Sequence, residues 1–152
     1  YEDRDPQAWS SQRLLASISL QLVNLGDTAR IPEVIARYDT VAALMEAYPF
    51  VLSEVAVVNA QFGEMQQALD YSGQAIAGEK TTTAQPGAWW SKGSSLLSFG
   101  RTEEAIDAFT NAIAGNPKGY YARLSHLELG TIYFERGQHE LADEHRRMAG
   151  LL

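Results

Sequence analysis

Two histidines and three carboxylates crowd one short stretch of this 152-residue chain, His139-Glu140-Leu141-Ala142-Asp143-Glu144-His145. His139 and Asp143 lie four residues apart, so on a helix they share a face. The spacing has the outline of the His-Glu-x-x-His motif, in which two histidines hold zinc and the glutamate serves as base. The chemistry would be metal-assisted hydrolysis. The second histidine of that motif is missing, and His145, six residues from His139, falls on another face. A solvated helix start, where acids favour the dipole, accounts for the stretch better. The hydroxyls of Ser53, Ser94 and Ser95 have no histidine and aspartate arranged around them in sequence, so nucleophilic catalysis has no support. No cysteine is present, which removes disulfides, thiolate metal sites and thiol nucleophiles. The chain is therefore read as a non-enzyme needing neither metal nor cofactor.

A repeat must position whatever function exists. Gly26, Gly63, Gly100 and Gly137 stand 37 residues apart, and other columns keep step. Ile31, Ala68, Ala105 and Ala142 follow each glycine by five residues, and Tyr38, Ala75, Ala112 and Ala149 by twelve. Ser19, Ala56, Gly93 and Gly130 precede it by seven. A fixed period with small residues in register marks an array of one supersecondary unit. Within the third unit, Trp89, Gly93, Leu96 and Leu97 fall on one helix face. Gly100 stops that helix by taking positive φ. Thr102 is expected to cap the next, with Glu103 and Glu104 in its first turn, and Asn116-Pro117 ends it. The polar run from Glu79 to Gln85 reads as a loop.

Residues 86–119 resemble a tetratricopeptide repeat: Trp89, Gly93, Leu96, Gly100, Ala105, Phe109, Ala112 and Pro117 stand at that family's spacing. Units at about 12–48, 49–85 and 123–152 are similar more loosely, with Ser72 and Arg146 where an aromatic is usual. The period exceeds the family's usual length of about 34 residues. The resemblance implies an all-α, right-handed α-solenoid of about four helix pairs, forming one domain over residues 1–152. It also implies a concave groove lined by the first helix of each unit, here Phe50, Ser53, Val57, Trp90, Ser94, Leu127 and Thr131. Arg13, Ala16 and Leu20 extend this groove in the first unit. Ser91, Ser98, Leu124 and Glu128 extend it in the later ones. Basic and amide residues that let some members bind a carboxylate tail are absent from the matching positions, so recognition of that kind is not expected. Trp90, read as an exposed indole, is the candidate anchor; its other reading is a shield for the join between units. Tyr120-Tyr121 reads as a staple for the next helix or as a contact loop.

The function implied is a scaffold or adaptor holding a peptide, a helix or a protein surface. A structural module that self-associates through its ends is the second reading, and a hydrolase using His139 and Asp143 the third. The formal charge of −7 opposes nucleic acid, whose phosphates need Lys and Arg. No apolar run reaches the roughly 18 residues that span a bilayer. The chain begins at Tyr1 and is read as an excised fragment, with a cytoplasmic location favoured over a periplasmic or tethered one. Two leucines, Leu151 and Leu152, close the sequence, where a weak homodimer is expected.

Overall fold

The structure, a computed structural model, describes residues 6–44, 49–78 and 84–152. Among these residues there is no strand. Eight α-helices follow one another: α1 (Pro6–Asn24), α2 (Ile31–Leu44), α3 (Pro49–Gln61), α4 (Met65–Ala77), α5 (Ala84–Ser98), α6 (Thr102–Gly115), α7 (Tyr120–Glu135) and α8 (His139–Met148). A short 3-10 turn, Thr28–Arg30, leads into α2. Each odd-numbered helix packs on the even one after it, and α2, α4 and α6 pack on α3, α5 and α7. Contact is therefore between neighbours along the array, the defining property of a solenoid. The all-α repeat architecture expected from the sequence is met.

The glycine column does what its spacing requires. Gly26, Gly63, Gly100 and Gly137 have φ of +110°, +82°, +74° and +73°, a region costly for any residue with a Cβ. At Gly100 the glycine N–H donates to the Leu97 carbonyl at 3.0 Å, and the Arg101 N–H donates to Leu96 at 2.9 Å. This is a Schellman closure, and the same pair of bonds recurs at the other three glycines. The residue after each glycine, Asp27, Glu64, Arg101 or Gln138, has ψ between 62° and 69°. One departure from expectation follows. Thr102 does not cap α6: the cap position is Arg101, whose side chain makes no capping bond, and Thr102 is already helical. The closure turns the chain so sharply that the next helix begins at once, the Arg101 carbonyl accepting from the Ala105 N–H at 3.0 Å.

Small residues set how closely paired helices approach. Ala68, Ala105, Ala142, Ala75 and Ala112 are fully buried. A methyl added at Gly93 would sit 2.7 Å from the Phe109 ring, so that ring rests on bare backbone of α5. In the last pair Arg146 replaces the aromatic. Its guanidinium lies 4.7 Å from the Phe134 ring centroid and donates to Asp143 at 3.4 Å. Ser72, the other replacement, is buried with its hydroxyl on the Leu69 carbonyl. The loop expected from Glu79 to Gln85 is shorter at its end, because Ala84 and Gln85 belong to α5. Pro86 falls in the first turn of α5, where a missing N–H costs nothing. Residues 79–83 lie outside the described residues.

Candidate functional site

The inner edges of α1, α3, α5 and α7 enclose a cleft of about 450 Å³. Its walls include Phe50, Ser53, Val57 and Trp90, four of the seven groove residues expected from the sequence. Val57 is shared with an adjoining cleft of about 380 Å³ that takes in Ser94, Ser98 and Glu128. Leu127 and Thr131 line neither; the Thr131 hydroxyl donates to the Leu127 carbonyl at 3.2 Å. Ala16 is fully buried in the core and leaves the groove. Two hydroxyls are buried, Ser91 and Ser95, and these together with the exposed Ser98 donate to carbonyls of their own helix at 2.8–3.0 Å. That pattern is a common resting state for serine in a helix interior.

Trp90 is half-buried rather than exposed, so the expected open indole is corrected. Its ring centroid lies 5.9 Å from that of Tyr121 on α7, and Tyr121 in turn covers Gly87, where a methyl would stand 2.8 Å from the phenol ring. Close approach of α7 to α5 thus pins the indole between neighbouring helix pairs. The indole Nε1 is buried without a hydrogen-bond partner, an arrangement that leaves a donor desolvated at the cleft wall. Tyr121 acts as a staple of α7 on α5, whereas Tyr120, the first residue of α7, is exposed.

The far wall is charged. Arg13 donates to Glu54 Oε2 through Nη2 at 2.6 Å and through Nε at 3.0 Å, and its guanidinium lies 5.9 Å from the Phe50 ring centroid. Burial, together with the Glu54 carboxylate, pushes the Tyr38 phenol up to about 12, and Ser17 also bonds it. In the adjoining cleft, burial raises the Glu128 carboxyl above its usual range. Sequence reasoning missed Ser17, Tyr38, Glu54, Gln61 and Tyr121 as cleft residues. An aromatic half faces an ion-paired half, which suits a ligand with an apolar anchor and adjacent polar groups.

The histidines are drawn apart by the fold. His139 is exposed and packs edge-on to Phe134 at 5.0 Å, beside an open hollow of about 680 Å³ running from Gly137 to Glu144. Asp143 turns to Arg146. No group of three or more potential metal ligands occurs among the described residues. His145 instead meets His126 of α7, Nδ1 to Nδ1 at 2.8 Å, and stacks on Tyr133 at 5.4 Å. One proton fits between the two nitrogens, so one imidazole donates and the other accepts. Burial lowers both histidines below their usual value; the His145 charge lowers His126 further, while Glu144 opposes the shift at both. A depressed histidine pKa stabilises the fold above the unfolded value of about 6.5 and withdraws that stability as pH falls through the folded value. Acid is thus expected to loosen α8 from α7 before the other pairs. Relative to the intrinsic exchange rate at each pH, the protection of α8 amides should fall between pH 7 and pH 5, more than that of α5 and α6 amides. An equal loss of protection in all three helices would show that the pair does not control docking.

These features define a class, an all-α helical-repeat solenoid with a cleft along the inner edge of its first helices. No protein-family model matches the sequence, and no curated protein is similar to it. Among solved structures the chain is similar to a crystal structure of MamA, at 20% identity and a TM-score of 0.63 over 91% of this chain and 75% of that one. MamA (41-end) from Desulfovibrio magneticus RS-1 gives 20% identity and a TM-score of 0.64, covering 99% of this chain and 77% of that one. The likeness is one of fold. No described helix is long and apolar enough to cross a membrane.

Proposed function

We propose that the chain is a tetratricopeptide-type array of four units, near residues 12–48, 49–85, 86–122 and 123–152, working as a non-enzymatic adaptor. The observation that carries this reading is the cleft walled by Phe50, Val57 and the unpartnered indole of Trp90. The solenoid likeness to MamA structures supports it at the level of architecture. The partner is a peptide, helix or protein surface offering one large apolar side chain and an oxygen acceptor. The acceptor would satisfy Trp90 Nε1, and the apolar group would cover Phe50, which is 48% exposed. Leu127 and Thr131 would extend contact along α7 for a longer partner. The Arg13–Glu54 pair would fix orientation more than affinity, as half-exposed charge pairs contribute little net energy.

The test is capture from a library of random peptides by the whole chain. Val57→Asp, placed in the wall common to both clefts, should weaken any selected peptide at least about tenfold, the cost of a charge set against an apolar anchor. Arg147→Asp, on exposed α8, should leave binding unchanged. Helicity of both variants is checked by circular dichroism. Peptides indifferent to Val57→Asp but lost with Arg147→Asp would place recognition outside the cleft.

A further inference from the structure

One carboxylate in the groove has no cation. Glu128 of α7 stands in the wall of the smaller cleft, with Val57, Gln61, Ser94 and Ser98 around the same space. It is partly buried, and burial raises its carboxyl above the usual range with no counter-charge acting on it among the described residues. A carboxylate withdrawn from water is costly until a cation joins it. Its helix neighbours three and four positions away, Leu124, Ser125, Thr131 and Ile132, are uncharged, so no ion pair forms along α7. Arg13, Arg30, Arg37, Arg101, Arg136 and Arg146 are each held by other carboxylates. The cleft also supplies neutral acceptors. Ser98 gives its hydroxyl proton to the Ser94 carbonyl at 2.9 Å, which leaves the hydroxyl oxygen to accept. Gln61 commits Nε2 to Asn24 at 3.1 Å and keeps its carbonyl oxygen.

The larger cleft differs, because its two charged residues, Arg13 and Glu54, cancel each other. Val57 and Gln61, one turn apart on α3, line both clefts. The two therefore form one groove with a neutral aromatic end and an anionic end. We propose that Glu128 sets the specificity of this groove: a partner peptide seats its apolar side chain beside Trp90 and Phe50 and a lysine or arginine in the smaller cleft, against Glu128. The inference rests on the reading of the groove as the recognition site and adds the charge of what it takes. The ammonium or guanidinium donates to the Glu128 carboxylate, a bond stronger than one between neutral groups, and its remaining N–H groups find the oxygens of Ser98 and Gln61. An acidic peptide would set a second carboxylate beside Glu128 and be rejected. The formal charge of −7 draws a basic segment toward the chain from any side; Glu128 decides where along the groove it comes to rest.

Selection from a random peptide library by the parent and by Glu128→Gln, side by side, tests this. Peptides taken by the parent should be enriched in lysine and arginine together with an apolar residue, and those taken by Glu128→Gln in the apolar residue alone. Replacing the basic residue of a parent-selected peptide with alanine should weaken binding to the parent about tenfold, the size of a hydrogen bond to a charged group. Against Glu128→Gln the same replacement should cost less than about twofold, which isolates the pair. Glu128→Lys should select aspartate and glutamate instead, a gain that misfolding cannot produce. Val57→Asp separates the two ways of failing. Peptides weakened by Val57→Asp but without a basic preference, or with one that Glu128→Gln or Glu128→Lys retains, would overturn the role of Glu128 and leave the cleft as the recognition site. Selection of no peptide, or of peptides indifferent to Val57→Asp, would remove the cleft reading and this inference with it.

Discussion

Phe109→Ala is expected to destabilise the protein by about 3–5 kcal/mol, the range for emptying a buried aromatic site. Phe109 is fully buried and its ring covers Gly93, so removal opens space against backbone that has no side chain to move in. The neighbours across the gap, Leu96, Ala105 and Leu129, are each fixed on a different helix, which limits collapse. A domain stable by about 5–15 kcal/mol would lose a large share of its margin. Urea unfolding of parent and variant measures the difference through the midpoint. A cost below about 1 kcal/mol would mean that the ring is not the wedge between α5 and α6.

Trp90→Ala should weaken binding of the proposed partner by about 2 kcal/mol, roughly thirtyfold, the size of a hot-spot truncation. The argument has two parts. The indole forms one wall of the larger cleft, and its buried N–H has no acceptor within the chain, so a ligand oxygen gains a bond that displaces no existing one. Trp90→Phe keeps most of the apolar area and should recover only part of the loss. Calorimetric titration at two salt concentrations separates the contributions: apolar burial persists at high salt, whereas any share from Arg13 and Glu54 is screened over about 8–10 Å. Equal affinity of parent and Trp90→Ala would remove the indole from the site, leaving it a shield between α5 and α7.

The turns were legible in the sequence because each depends on one residue whose backbone need is local. Gly100 must accept φ of +74°, and a glycine at that spot, repeated every 37 residues, announces the closure and the helix on either side. Small residues at Ala105 and Gly93 were legible for the same reason, as each excludes a side chain at a crossing. The cleft's charged wall was not. Arg13 and Glu54 are 41 residues apart, and nothing near either residue signals the other. His126 and His145, 19 residues apart, belong to different helices, so the cluster around His139 drew attention to the wrong histidine partner. Thr102 misled because a threonine before two glutamates is a cap signal that the preceding closure pre-empts. Ala16 was placed in the groove by its column alone. The packing of α1 on α2 buries that column's first member, while Ser53 and Trp90 stay at the cleft wall.

The four closures share one geometry to within a few degrees of ψ, and this has a mechanical consequence. Each helix pair behaves as a stiff link, its hinge locked by two hydrogen bonds and a left-handed glycine. Compliance of the array then resides at the joins, α2 to α3, α4 to α5 and α6 to α7, where solenoid repeats meet. The cleft crosses all three. A thick ligand is therefore accommodated by small rotations between links, shared along the array as a spring shares extension, and the width of the mouth follows the pitch.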